Sequence, residues 1–253
     1  MKRWASFVTG GGTTFAAILD AVISKELNEI QFAFLFASQH GIGAIDKAQK
    51  RINEHGTELG VSRHDIHVME MGHHSGSPSQ WDRVVSLCRD YKVDVVTLNG
   101  FLPQVDWRVI EAVDGNIFNQ HPGPLDPGRQ HDFGGGGYLG MYGRRVHCAR
   151  LYFVRMTNCE SWSEATMHVV TPEVDKGFIV HSERVEILPY DTVDDLQQRV
   201  LPVEHKTQID GLRRFARAEL KTQPKRERPL VESWQVPHLI DGKKVARILY
   251  PKG

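Results

Sequence analysis

The sequence predicts an α/β fold, an open, mostly parallel sheet with helices on both faces. Three observations predict it. Near-continuous apolar runs such as Glu29–Ser38 (EIQFAFLFAS) have the texture of strands buried on both sides. Between them lie segments whose apolar residues recur at helical spacing. The two kinds of segment alternate up to Asn116, as parallel strands joined by crossover helices do.

In order, Trp4–Thr9 reads as a strand that breaks into Gly10-Gly11-Gly12-Thr13-Thr14. Phe15, Ala16, Ile18, Leu19, Val22 and Ile23 then mark a helix. Glu29–Ser38 is the second strand, residues 43–55 a helix, and Ile66–Met71 a third strand. Ser79–Tyr91 places Trp81, Val84, Val85, Leu87 and Cys88 on one face of an amphipathic helix. Val93–Leu98 (VDVVTL) is a further buried strand, ending at Asn99-Gly100. Ile117–Asn119 is a short strand, after which Pro122, Pro124, Pro127 and Gly128 forbid regular structure. With the glycines 134–137, these predict a long mobile loop over 123–140, and such loops are usually functional. Residues 141–156 read as helical, and Ala165–Val170 and Gly177–Glu186 as strands flanking a turn at 171–176. Residues 192–220 read as a helix interrupted or kinked at Pro202. Residues 221–230 (KTQPKRERPL) form a charged linker, and Asp241-Gly242 predicts a hairpin turn. The expected organisation is one domain over 1–220 and a linker with a C-terminal hairpin extension over 221–253.

The chain has 253 residues with 31 basic and 31 acidic side chains. That balance argues against a general nucleic-acid binder. Three cysteines, none in a CxxC pair, argue against a disulfide framework and point to a reducing compartment. The apolar run after Lys2-Arg3 is too short for a signal peptide, and no stretch approaches the roughly 18 apolar residues of a membrane span. The expectation is a cytoplasmic protein, monomer or homodimer, acting on small molecules, with neither nucleic acid nor membrane as partner.

Three segments can carry chemistry. The Gly10–Thr14 turn sits between a strand and a helix, where backbone amides and the helix dipole favour an anion. A tight turn needing glycine for its backbone angles fits it equally well. It is not a P-loop, because no Gly-Lys-Ser/Thr follows, and Phe15 stands where a dinucleotide fingerprint has its third glycine. Asn119 and His121 lie two apart on a strand and so share a face. An asparagine amide can bind a developing oxyanion, and a histidine can carry a proton near neutral pH. Asp175, in Val174-Asp175-Lys176-Gly177, reads either as ordinary turn chemistry or as a carboxylate that orients His121. His73-His74, His131 and His147 raise the question of a metal. Adjacent histidines point apart and no HxxxH or Cys cluster joins them, so none is expected.

Together these segments resemble the folate-dependent formyltransferase family, nearest to its phosphoribosylglycinamide formyltransferases. Thr9–Phe15 looks like the family's opening Ser-Gly-x-Gly-Ser/Thr-Asn-Leu. Asp94–Leu102 is similar to Asp-Val-Val-x-Leu-Ala-Gly-Phe-Met, and Asn119–Leu125 to Asn-x-His-Pro-Ser-Leu-Leu. Met167–Gly177 matches the second catalytic segment. Asp191-Thr192, Leu196, Arg199-Val200 and Glu204-His205 keep the family's spacing. The resemblance implies a Rossmann-like catalytic domain over 1–220 and formyl transfer from 10-formyltetrahydrofolate, as cosubstrate, to an amine. Asn119, His121 and Asp175 would be catalytic. Gly12, Thr13, Thr14 and Glu204 would bind the acceptor, glycinamide ribonucleotide in purine synthesis. Leu102, Pro103, Gln104, Val105, Thr171, Pro172, Glu173 and Val174 would bind the folate. Thr14 replaces the family's Asn, Pro103-Gln104 its Arg-Ile, and the stretch from Leu125 to Met167 is longer than usual. The alternatives are a sugar-nucleotide N-formyltransferase, a formyltetrahydrofolate hydrolase and a non-catalytic folate- or nucleotide-binding protein.

Overall fold

A computed structural model describes residues 1–72, 75–135 and 140–253. Seven strands form one sheet in the order β3-β2-β1-β4-β5-β6-β7. β1 (Lys2–Val8), β2 (Ile30–Ala37), β3 (Ile66–Val68), β4 (Val95–Leu98) and β5 (Ile117–His121) run parallel. β6 (Trp162–Val169) is antiparallel to β5, and β7 (Ile179–Glu186) to β6. The chain builds outward from β1 to β3 and then returns to the other side of β1 with β4. Open sheets bind ligands at the carboxyl ends of the strands beside such a reversal. That edge is tied together here, since the Leu102 amide donates to Thr9 Oγ1 at 3.0 Å and the Asn99 amide to the Phe7 carbonyl.

Helices α1 (Thr13–Ile23), α2 (Gly43–Leu59) and α6 (Val193–Ala216) cover one face. α3 (Pro78–Asp90) and α4 (Trp107–Ala112) cover the other. Strand alternation divides the core between them. From β1, Trp4 and Val8 pack with Phe15 and Ile18, while Ala5 and Phe7 pack with Trp81 and Val84. Each fully buried large apolar side chain stabilises the fold by about 1.5–3 kcal/mol. Helix starts follow local chemistry, with capping boxes from Ser77 to Gln80 and from Thr192 to Asp195. α6 continues through Pro202 as one helix, so the interruption that the sequence allowed does not occur.

Two further expectations are corrected. The C-terminal hairpin expected at Asp241-Gly242 is instead a helix, α7 (Val236–Leu249), packed on α5 (Arg144–Thr157). Leu239, Gly242 and Ala246 are its buried stripe, three and four residues apart. Gly242 serves helix contact and not a turn. A Cβ there would lie 3.0 Å from Tyr152 Cδ1 and 3.2 Å from the Ala149 carbonyl oxygen.

The loop expected to be mobile over 123–140 is packed in its described part. Gly123, Pro124, Leu125, Asp126, Asp132, Phe133 and Gly134 are all buried. Asp126 pairs with Arg129 at 3.0 Å and accepts from the Leu230 amide at 3.0 Å. Lys243 Nζ donates to the Gly134 carbonyl at 2.8 Å, and Lys176 pairs with Asp132 at 3.2 Å. Proline and glycine exclude helix and strand, but they do not exclude burial when neighbouring segments satisfy the backbone. Residues 136–139, the rest of the glycine-rich stretch, lie outside the described residues. Gly242→Val is expected to force α7 off α5 and destabilise the protein by about 1–3 kcal/mol. A lowered urea midpoint would show it; an unchanged midpoint would contradict the close approach.

Candidate active site

A cleft of about 1080 Å³ opens along the carboxyl ends of β1, β4 and β5. The glycine turn forms one wall. Gly12 has φ +65°, and a Cβ on it would come within 2.4 Å of the Ala44 Cβ, so both backbone angle and packing require glycine. α1 starts there with no side-chain cap, which leaves first-turn amides free to meet an anion. Thr13 and Thr14 line the cleft with it.

Asn119 and His121 project from β5 into the cleft floor, and the turn between β6 and β7 brings Asp175 to them. Asp175 takes the left-handed conformation at φ +57°. Gly177 permits the turn, because a Cβ there would sit 1.8 Å from the Val169 carbonyl oxygen. Asn119 Nδ2 donates to Asp175 Oδ1 at 3.4 Å, and His121 Nδ1 lies 3.7 Å from Asp175 Oδ2. His121 Nε2 donates to the Phe133 carbonyl at 3.1 Å. Burial holds the His121 imidazole below its usual pKa, against the opposing pull of Asp175.

Opposite, Leu102, Pro103, Gln104, Val105, Thr171 and Val174 line the cleft. Gln104 Nε2 donates to the Pro172 carbonyl at 2.8 Å and joins the two segments expected to hold the folate. Pro172 and Glu173 are exposed and lie outside the described lining. Glu204, on α6, reaches the cleft. Part of its surface is open, yet the atoms around it push its carboxyl up to about 8.

Several lining groups carry no sequence assignment. His168 is the β6 partner of Asn119 across the antiparallel pair. Its Nδ1 donates to the Val169 carbonyl at 3.0 Å, so Nε2 accepts from Asn119 Nδ2 at 3.1 Å. His168 Nε2 also lies 3.5 Å from Asp175 Oδ1. Strand alternation from Asn119 and the pairing of β5 with β6 were the signals that could have found it. The Phe133 carbonyl had no signal, since a main-chain acceptor leaves no residue-type trace. His147, on α5, was weighed only as a metal ligand. Instead it lines the cleft, buried, with Nδ1 unpartnered. His131 is not among the lining residues, and His73-His74 lie outside the described residues. His181, Glu183 and Asp210 converge away from the cleft, where the Lys206 ammonium pairs both carboxylates.

Burial takes the His147 pKa down to about 3. Below the unfolded value near 6.5 the unfolded chain binds a proton that the folded chain refuses, so stability falls as pH drops through that window. His147→Asn is expected to remove about 1.4 kcal/mol per pH unit from the slope of unfolding free energy between pH 6 and 5. Urea titrations of both proteins measure it, and equal slopes would mean that His147 is free to protonate.

The formyl transferase domain family matches residues 149–212. Over 212 residues the chain is 32% identical to the chloroplastic phosphoribosylglycinamide formyltransferase of Vigna unguiculata, covering 83% of this chain and 59% of that protein. The protein of the same name from Arabidopsis thaliana is 28% identical over 212 residues, covering 83% of this chain and 63% of that one. The chain thus spans about three-fifths of the length of these curated relatives. Its fold is similar to glycinamide ribonucleotide transformylase 1 from Symbiobacterium toebii, with TM-score 0.69, 24% identity, and 89% and 92% of the two chains covered. Residues 149–212 thus match the formyl transferase family, and over most of its length the chain is similar in sequence to phosphoribosylglycinamide formyltransferases and in fold to a glycinamide ribonucleotide transformylase.

Proposed function

We propose that this protein transfers the formyl group of 10-formyltetrahydrofolate to the amine of glycinamide ribonucleotide. The observation that carries the reading is the convergence of Asn119, His121 and Asp175 between two unlike walls of one cleft. The wall of Gly12, Thr13, Thr14 and Glu204 suits a phosphorylated amine. The wall of Leu102–Val105, Thr171 and Val174 suits a flat heterocycle, with the Gln104–Pro172 hydrogen bond holding it in shape.

The amine nitrogen attacks the formyl carbon, and the carbonyl oxygen gains the negative charge of a tetrahedral intermediate. Asn119 donates to that oxygen with the amide hydrogen it releases from its long 3.4 Å contact to Asp175. His121 takes the proton that the amine sheds and returns one to N10 of the folate, which leaves as tetrahydrofolate. Asp175 stabilises the imidazolium between those steps. The chemistry asks only for proton movement and oxyanion stabilisation, so the reading assigns no metal. It places the protein in the cytoplasm, consistent with free Cys88, Cys148 and Cys159. The transferase unit would be 1–220, and 221–253 an extension that packs onto it.

In the resting site both His121 ring nitrogens face protein groups, Phe133 O and Asp175. Catalysis therefore requires the ring to leave the Phe133 carbonyl, carry its proton on Nδ1 beside Asp175, and present an unprotonated Nε2 to the substrate.

An acceptor screen tests the proposal. Tetrahydrofolate release is followed with glycinamide ribonucleotide, amino-sugar nucleotides and water as acceptors. Faster release with either of the last two than with glycinamide ribonucleotide would reject the assigned acceptor. His121→Ala is expected to lose about 10²–10⁴ in kcat while staying folded. Asp175→Asn keeps a residue that tolerates positive φ and removes the charge, and is expected to lose a similar factor. Near wild-type turnover in His121→Ala would end the assigned mechanism.

A further inference from the structure

One end of the cleft is built by the C-terminal segment. After α7 the chain turns at Tyr250 and passes Arg145, in the first turn of α5. Arg145 is 5% exposed. Its Nε donates to the Tyr250 carbonyl at 2.8 Å, its Nη2 to the Pro251 carbonyl at 2.6 Å, and its Nη1 to the Gly140 carbonyl at 3.0 Å. The guanidinium also lies 4.7 Å from the Tyr142 ring centroid. Beyond it, Gly253 packs on Gly143, where an added Cβ would sit 3.2 Å from the Gly253 carbonyl carbon. Residues 250–253 are thus held on both sides of Lys252.

Lys252 is exposed and lines the cleft with Tyr142, Gln197, Leu201 and Glu204. Among the described lining residues it is the only Lys or Arg, whereas Glu70, Asp175 and Glu204 supply carboxyl groups. The glycine turn offers amides to an anion but no charged side chain. A ligand carrying two negative charges would find in Lys252 the one basic side chain of the described lining, while Lys47 Nζ stands beside the turn, 3.4 Å from where a Gly43 Cβ would sit.

We propose that Lys252 contacts the acceptor's phosphate and sets the preference for a phosphorylated amine. This rests on the transfer reaction proposed above. The acceptor, and not the folate, is its target because of what shares its wall. Gln197, Leu201 and Glu204 belong to α6, which packs on α1 and α5, and α1 begins at the glycine turn. The 102–105 and 171–174 segments follow β4 and β6 instead.

Two measurements test Lys252→Ala and Lys252→Arg. The first compares KM for glycinamide ribonucleotide, for its dephosphorylated nucleoside and for the folate. Lys252→Ala is expected to raise KM for the phosphorylated acceptor about tenfold or more, and by much less for the other two. Lys252→Arg should restore most of the difference. The second is calorimetric titration with ribose 5-phosphate, where Lys252→Ala should weaken binding about tenfold. An equal KM rise for both acceptors, a rise confined to the folate, unchanged ribose 5-phosphate affinity, or no binding of it by the wild type would each overturn the proposal. If ribose 5-phosphate binding depends on Lys252 but glycinamide ribonucleotide is not formylated, the phosphate contact stands and the acceptor assignment falls.

Discussion

The buried carboxylate of Asp175 is the constraint around which the cleft floor is organised. A carboxylate taken out of water costs several kcal/mol unless it is paired and hydrogen-bonded. Asp175 is 5% exposed, and Asn119, His121 and His168 surround it, two from β5 and one from β6. Reaching that position requires the left-handed backbone at Asp175, which costs an L-residue about 1–2 kcal/mol. It also requires glycine at 177, where the chain passes against the Val169 carbonyl. The antiparallel step from β5 to β6 follows from the same need, since it sets His168 opposite Asn119. The parallel part of the sheet supplies Asn119 and His121, and the antiparallel part supplies what holds them.

The donors of Asn119 and His121 are taken up within the resting site. Asn119 spends its amide hydrogens on His168 and Asp175, and His121 spends its Nε2 hydrogen on Phe133. With Nε2 protonated, a neutral His121 turns the lone pair of Nδ1 toward a carboxylate 3.7 Å away. That contact becomes favourable when Nδ1 gains a proton. Burial opposes the gain, and Asp175 favours it. The reaction proposed above needs a neutral base when the amine attacks, and burial favours that form of His121. The Phe133 carbonyl belongs to the packed 123–135 loop, so Lys243 of α7 and the linker around Leu230 help to fix the position of His121.

The parallel sheet and its helices were legible because their signals are periodic. Buried strands such as β2 and amphipathic helices such as α3 announce themselves in apolar spacing. Asn119, His121 and Asp175 were legible as a set through ordered motifs, and each alone remained ambiguous. Asp241-Gly242 misled because a turn dipeptide says nothing about the helical stripe of Leu239, Gly242 and Ala246 that contains it. The 123–135 loop misled because composition excludes regular structure without revealing what packs on it. The Phe133 carbonyl and Lys252 were out of reach for one reason. Each acts through a position fixed by contacts distant in sequence, Lys243 for the loop and Arg145 for the tail.

These two ends of the cleft are held by different kinds of packing. The catalytic groups and the 102–105 wall hang from strand ends, where a displacement would break ladder hydrogen bonds of the sheet. Tyr142, Gly143 and Lys252 depend on how α7 lies against α5, an interface of two helices with glycine at its closest point. Helix interfaces slide and re-pack more readily than sheet registers slip, because no regular ladder of hydrogen bonds fixes them. Sequence change along α5 and α7 can therefore reshape that end of the cleft while Asn119, His121 and Asp175 stay in place. For the reaction proposed above, the fold would then constrain the transfer chemistry more tightly than the choice of amine. Under that proposal, acceptor identity is to be read from the residues that α5, α6 and the tail bring to the cleft.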